Sequence, residues 1–273
     1  MEQRALEELR RDGIAVLSFG ELLRDDRLWY DLKAQATEFA QQAAARVPPG
    51  MERPADKNDY LIRRFGGMTA MVDRNPVATL TANDPLIRFA ASDAVLNIVN
   101  GYRGTHTKLV DLDTWYTVPF PSADERVASQ RWHRDPEDQH VVKVFVYFTD
   151  VDEDSGPFQY VKGSPEGGRY GDLWPWSRAM SSRLPWARRR LYPSEKRVEK
   201  RIAADDVATI TGPAGTVIFC DTSGLHRGGF AKQRERVLSY HAYVSPGARA
   251  RCIAVDQRTG GAQLSEQGRS AVE

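Results

Sequence analysis

Six short segments rich in β-branched and aromatic residues, between Thr114 and Val244, limit the fold of this chain more than any other feature. They are 114–118 (TWYTV), 141–148 (VVKVFVYF), 158–161 (FQYV), 207–210 (VATI), 215–219 (GTVIF) and 237–244 (VLSYHAYV). Turn formers such as Asp154-Ser-Gly-Pro and Gly212-Pro-Ala-Gly separate them. Segments of this length and composition, bounded by Gly, Pro, Asp and Ser, read as strands. A succession of them reads as an antiparallel sandwich or barrel.

The front of the chain carries a different period. From Glu2 to about Arg46 apolar residues recur at helical spacing, interrupted by the strand-like stretch 13–17 (GIAVL). Residues 48–66 (PPGMERPADKNDYLIRRFG) are rich in Pro, Gly and charge and read as a long ordered loop or lid. The stretch 84–99 (DPLIRFAASDAVLNIV) has apolar residues at Leu86, Ile87, Ala90, Ala91, Val95 and Ile98, which predicts a further helix. The expectation is a mainly β fold with a helical buttress. No repeat or low-complexity linker divides the chain, so 1–273 is read as one domain. Its parts are a helical front end to about 100, a β core from about 105 to 250, and a polar tail, 259–273, expected to fray.

Composition narrows the function classes. A chain of 273 residues with 41% hydrophobic and 27% charged residues is that of an ordinary soluble protein able to bury a sizeable core. Its net charge of +1 supplies no global field for nucleic acid or membrane, so a small-molecule partner is expected. Cys220 and Cys252 make no disulfide framework, and a reducing cytoplasm is the expected setting. The N-terminal stretch lacks the apolar core of a signal peptide, and no run approaches the length of a membrane span.

The chemistry concentrates around Gln130–Pro136 (QRWHRDP). On a strand, residues two apart project to one side, so His133 and Asp135 can offer two ligands to one ion. A mononuclear non-haem iron(II) site needs two histidines and one carboxylate on one face of the metal. Alone the pair is weak evidence, since H-x-D arises by chance in many proteins and also fits a hydrogen-bonded surface pair. A third ligand candidate, His226, closes the stretch 215–229 (GTVIFCDTSGLHRGG), a strand and a turn followed by glycines that permit close approach. Ten residues on, Arg236 opens the next strand, where its planar guanidinium suits a bidentate pair with a dicarboxylate.

The succession W-H-x-D, then K-V-F-x-Y-F-T-D-V-D-x-x-S-G-P-F-Q-Y-V-x-G-S, then G-x-x-x-F-x-x-x-x-x-x-H-R-G-G and the Arg234-x-Arg236 pair resembles the phytanoyl-CoA dioxygenase (PhyH) family. These are Fe(II)/2-oxoglutarate-dependent oxygenases. The similarity covers about 110–246, and more loosely the front end from Gly13. It implies a double-stranded β-helix, a cupin-like jelly roll with helices on one sheet. It implies Fe(II), 2-oxoglutarate as cosubstrate and O2, with succinate and CO2 released. His133, Asp135 and His226 match the iron ligands, and Arg236 matches the residue that holds the distal carboxylate of 2-oxoglutarate. Arg234 competes for that role, since alternation on one strand would point both arginines the same way; spacing from His226 favours Arg236. Lys143 and Gln159, on flanking strands, are expected pocket residues.

Two departures matter. Many members read P-G-S-H where this chain has Val161–Pro165 (VKGSP), so a contact from that histidine is missing. Halogenating relatives replace the ligand carboxylate by a small residue; Asp135 therefore points to hydroxylation, or to desaturation or ring closure. A cupin-like metalloprotein with a 2-oxoglutarate-independent reaction is the alternative, and a non-catalytic barrel-fold binding protein is a third that the intact triad speaks against. His140 reads as structural or solvated, His241 as packed or exposed and His106 as incidental, and both cysteines as buried or neutral thiols. Within a variable insert of about 170–203, Ser177–Arg201 holds nine Lys or Arg against two Glu. That excess suits an anionic or carrier-bound substrate, or marks a solvated helical face. Trp174, Trp176 and Trp186 beside it line a pocket or pack the insert.

Overall fold

Side-chain alternation along each strand decides which layer of this molecule a residue enters. The computed structural model describes residues 1–56, 58–65, 80–135, 138, 140–174, 192–248, 250, 252–253, 255–256 and 263–273. Among these, the α-helices are α1 (Glu2–Asp12), α2 (Phe19–Leu22), α3 (Asp26–Ala44), α4 (Pro85–Ala90), α5 (Asp93–Arg103), α6 (Glu195–Arg201) and α7 (Glu266–Val272). The strands are β1 (Ile14–Ser18), β2 (Leu61–Arg63), β3 (Leu80–Thr81), β4 (Lys108–Thr117), β5 (Val142–Tyr147) and β6 (Phe158–Val161). They continue with β7 (Val207–Ile210), β8 (Thr216–Asp221), β9 (His226–Arg227), β10 (Arg236–Val244) and β11 (Val255–Asp256).

One sheet has the order β1-β8-β5-β10-β4-β2, a second has β7-β6-β9, and β3 pairs with β11. On β5, Val142, Val144 and Val146 turn outward and join Phe89, Leu96 and Val99 of the helices in the main core. Phe145 and Tyr147 turn inward and meet Phe158, Tyr160 and Ile210 of the small sheet. Burying each such aliphatic or aromatic side chain contributes roughly 1.5–3 kcal/mol. The result is three layers, helices, large sheet and small sheet: the helical buttress that the sequence predicts, on the double-stranded β-helix that the family resemblance implies. Lys143, between Val142 and Val144, is thereby committed to the space between the sheets.

Three differences from expectation have local causes. The helix predicted over 84–99 is two helices, because the Ser92 hydroxyl caps the N–H of Val95 and starts α5 afresh. β4 begins at Lys108, six residues before the predicted Thr114, and carries Asp111 and Asp113, residues that β-propensity disfavours. Its register against β10 jumps from Asp111↔Ala242 to Leu109↔Tyr243, which leaves Val110 as an extra, bulged residue.

The tail expected to fray instead ends in α7. Ser265 caps the N–H of Gly268 at 3.0 Å, and Ala271 and Val272 are buried against the body of the protein. A Cβ on Gly268 would stand 2.6 Å from the carbonyl oxygen of Ala91. Most of the basic stretch, together with Trp176 and Trp186, lies outside the described residues; its end forms α6, which buries Val198 and exposes its other side chains.

If α7 is docked in this way, Val272→Asp should lower unfolding free energy by about 2 kcal/mol or more. Urea denaturation measures it, and an unchanged midpoint would mean that α7 does not pack on the fold.

Candidate metal and cosubstrate site

Two backbone hydrogen bonds assemble the centre. The N–H of His133 donates to the carbonyl of His226, and the N–H of His226 donates back, both at 2.9 Å. Residues opposed in this way present their side chains on one face of the pair. The imidazole rings accordingly lie 4.3 Å apart, centroid to centroid. Two residues on, the N–H of Asp135 donates to the carbonyl of Thr222 at 2.8 Å, which brings its carboxylate to the same side.

The donor atoms converge. His133 Nε2 is 3.8 Å from Asp135 Oδ1 and His226 Nε2 is 3.5 Å from Asp135 Oδ2. Each ring's Nδ1 is engaged behind it, His133 with the carbonyl of Arg131 at 2.7 Å and His226 with that of Gly224 at 3.0 Å. This orients Nε2 inward, as a hydrogen bond at the far ring nitrogen does for histidines that bind metals. Burial lowers the pKa of His133 below its ordinary value; burial together with the neighbouring His133 brings that of His226 down to about 3. Both rings are therefore neutral at pH 7, the form that ligates. Burial opposes ionisation of Asp135, but Lys143 and the two imidazoles outweigh it and hold the carboxyl well below its usual range. These three are the group among the described residues whose side chains could together hold a metal ion.

Lys143 reaches this cluster from the inner face of β5. Its Nζ is 2.7 Å from Asp135 Oδ2, with both side chains largely buried. Tyr192, near the end of the basic stretch, lies with its ring 6.0 Å from that of His133.

Trp132 and Arg134, which alternate with the two ligand candidates, face away from them and act as anchors. Trp132 is buried among Val161, Val198, Ile202 and Leu225, with the Arg227 guanidinium 4.4 Å from its ring. Arg134 is buried and donates to four carbonyls: Ser164 and Ser223 at 2.6 Å, Leu173 at 2.8 Å and Tyr170 at 3.3 Å. It ties the segment bearing His133 and Asp135 to the turn before His226. Sequence reasoning missed this residue. Its signal was an arginine at a position that strand alternation turns away from the ligand side, next to a buried tryptophan.

The two arginines separate cleanly. Arg236 is 3% exposed, on the inner face of β10, with its Nη2 3.4 Å from Thr117 Oγ1. Its Nε and Nη1 are buried without a hydrogen-bond partner, and burial lowers its pKa. Among the described residues no carboxylate pairs with it. Gly229 makes the room: a Cβ there would lie 2.8 Å from the Arg236 Cζ and collide with the carbonyl oxygen of Gly156. Arg234, by contrast, precedes the strand and is exposed, paired with Asp152 at 2.7 Å. The expected competition rested on alternation along one strand, but β10 starts only at Arg236.

Gln159 also departs from expectation. It stands opposite Arg227 in the β6–β9 pairing, whereas Tyr160 stands opposite His226. Its side chain therefore lies on the face away from the triad, bonded to Thr209 Oγ1 at 2.8 Å and to Arg227 Nε at 2.6 Å. His140 is structural, as expected: its Nδ1 lies 2.9 Å from Asp221, a buried carboxylate that also accepts from Tyr102. His241 is fully buried on the helix side of the large sheet, 5.1 Å from the Phe89 ring. His106 is exposed at the surface.

Comparison with known proteins agrees with this geometry. The family model of phytanoyl-CoA dioxygenase (PhyH) matches residues 30–232. No curated protein matches the sequence. Among solved structures, the non-heme alpha ketoglutarate dependent epimerase SnoN from nogalamycin biosynthesis is 16% identical, with 97% of this chain and 90% of that one covered and a TM-score of 0.55. AviO1 from Streptomyces viridochromogenes Tue57 is 15% identical over 91% of this chain and 96% of that one, with a TM-score of 0.56. EctD from S. alaskensis, crystallised with 2-oxoglutarate and 5-hydroxyectoine, is 15% identical over 97% and 86%, with a TM-score of 0.57. At these identities the likeness is one of fold. Among the described residues no helix is long and apolar enough to cross a membrane.

The anchoring role of Arg134 has a measurable size. Arg134→Met removes the donor to the buried carbonyl of Ser164 and to the half-buried carbonyls of Ser223 and Leu173, and should cost about 2 kcal/mol or more of unfolding free energy, measured by chemical denaturation; a loss under about 0.5 kcal/mol would contradict it.

Proposed function

The chain belongs to the phytanoyl-CoA dioxygenase (PhyH) family of Fe(II)/2-oxoglutarate-dependent oxygenases, and on that footing we propose that it hydroxylates a C–H bond of a small molecule. One observation carries the reading. Two neutral imidazoles and an ionised carboxylate converge beside a buried guanidinium with unanswered donors.

The residues fit both groups. Iron would be held by the Nε2 atoms of His133 and His226 and by the carboxylate of Asp135, a donor set suited to a facial site. The distal carboxylate of 2-oxoglutarate would take the free Nε and Nη1 of Arg236, as a bidentate, charge-assisted pair. Bound together with O2, they supply an oxidant able to take hydrogen from an unactivated C–H bond, with succinate and CO2 as by-products.

What the protein adds is position and exclusion. Lys143 keeps Asp135 ionised and limits how its carboxylate turns. The bonds from each Nδ1 to a backbone carbonyl hold the imidazoles in one orientation. Phe145 and Phe158, which pack beside His226 and Tyr240, line the interior with apolar surface that keeps water away. Asp135 occupies the position that halogenating relatives leave open, which supports oxygen insertion over halogen transfer. The whole of 1–273 is read as one catalytic unit. Its two free thiols suit a cytoplasmic setting.

Three measurements test this. His133→Ala, Asp135→Ala and His226→Ala should each reduce bound Fe(II), measured as metal per chain after anaerobic loading, by at least about tenfold. Retention of iron by all three would remove the site from the triad. Arg236→Ala should weaken 2-oxoglutarate binding by about tenfold or more in calorimetry, with Arg234→Ala unchanged; the reverse order would exchange their roles. For the product, a substrate screen scored by succinate release and run under 18O2 should yield a labelled alcohol. An unlabelled epimer or ring-closed product would keep the oxygenase class and overturn hydroxylation.

A further inference from the structure

We infer that the inner face of β4, at Asp111 and Trp115, is the subsite that recognises an ammonium group on the substrate, beside an oxygen acceptor such as a neighbouring hydroxyl. This rests on the oxygenase reading above and adds a substrate class to it. Asp111 stands opposite Ala242, and Ala242 stands opposite Lys143. Asp111 is therefore two strands, about 10 Å, from the lysine that touches Asp135. The Val110 bulge sits immediately before it, where bulges re-aim side chains.

The polar atoms here are not spent on the fold. Asp111 is 1% exposed, and one of its carboxyl oxygens accepts from the Tyr240 hydroxyl. Its other oxygen, Oδ1, is buried without a partner, and so is the indole Nε1 of Trp115. A buried carboxyl oxygen left unanswered is unfavourable, and such groups in a native structure call for a ligand or a stated role. The pair is complementary in kind: a carboxyl acceptor, and a neutral donor four residues further along the strand on the same face.

The surroundings choose the sign of the ligand. Asp113, next on this face, uses its Oδ1 to hold the N–H groups of Phe65 and Thr114 at 2.9 and 2.7 Å, and adds a second acidic group. The Trp115 and Tyr240 rings lie 4.3 Å apart. Each already draws a cation, Arg63 at 5.5 Å from Trp115 and Lys143 at 5.8 Å from Tyr240. A carboxylate or phosphate placed here would meet two acidic side chains. An ammonium would donate to Asp111 Oδ1 and rest on aromatic faces that favour cations. An oxygen beside it would receive the Trp115 indole N–H.

The test uses the full chain labelled with 15N at tryptophan. Trp115 is read through its indole N–H resonance, identified by its loss in Trp115→Phe. Titration with trans-2-aminocyclohexanol should move that resonance saturably; cyclohexanol and cyclohexanecarboxylate should leave it in place. Asp111→Asn, which keeps the partner of Tyr240 but presents an amide, should weaken the amine's binding by about tenfold or more, with the Trp29 and Trp132 resonances confirming the fold. If Asp111→Asn does not fold, Trp115→Phe should still show several-fold weaker binding by calorimetry. An equal response to all three compounds, no response, or undiminished binding in the variants would overturn the inference. The readout involves no iron chemistry. Amine binding without Fe(II)/2-oxoglutarate binding would therefore sink the oxygenase reading alone, and the converse would sink the ammonium subsite alone.

Discussion

The reciprocal hydrogen bonds between the backbones of His133 and His226, 2.9 Å each, are what the rest of the site depends on. They join two segments more than ninety residues apart into an opposed pair, and that pairing puts both imidazoles on one face. Asp135 then needs only the carbonyl of Thr222 to bring its carboxylate alongside. The remaining elements keep this junction where it is. Trp132 sinks into the cluster beneath the small sheet, and Arg134 gathers four carbonyls from the flanking turns. In Trp132-His-Arg-Asp135, alternate residues anchor and alternate residues converge on the centre.

Charge is arranged with equal economy. Asp135 is matched by Lys143 at 2.7 Å, so the acidic ligand candidate is already compensated in a buried setting. Arg236 is not matched by any described carboxylate, and neither its Nε nor its Nη1 has a partner. An unanswered guanidinium in a buried wall is unfavourable unless an anion completes it. The vacant donors of Arg236 and the vacant acceptor of Asp111 are complementary in kind and lie on the same inner face of the large sheet, β10 and β4 being neighbours there. Such a surface suits two ligands of different charge, a dicarboxylate at one end and a cation at the other.

Much of this was legible in the residues. The six β segments, the helical front end and the spacing of His133, Asp135, His226 and Arg236 depend on local pattern and order, which a sequence displays directly. What it concealed depends on parity and on neighbours from distant segments. Gln159 seemed a pocket residue because its strand lies near the centre, but strand parity pairs it with Arg227 and turns it away. Arg234 competed with Arg236 because alternation on one strand would point both the same way, but the strand begins between them. The role of Arg134 is made by turns at 164, 170, 173 and 223, which no local pattern announces. Asp111 and Asp113 lie in β4 ahead of its predicted start at Thr114, where β-propensity gives no signal, and this is the place where the proposed substrate subsite lies. The apolar pair Ala271-Val272 was hidden in a polar tail, and only its docking gives it weight.

The central claim is that His133, Asp135, His226 and Arg236 together hold iron and 2-oxoglutarate. Anaerobic titration of the Fe(II)-loaded protein with 2-oxoglutarate, followed by visible absorption, tests it most directly. A metal-to-ligand band that grows to saturation at one cosubstrate per chain, and that is absent when either component is left out, is the predicted result. Saturating 2-oxoglutarate with no such band, or binding of 2-oxoglutarate with equal affinity whether or not iron is present, would contradict it.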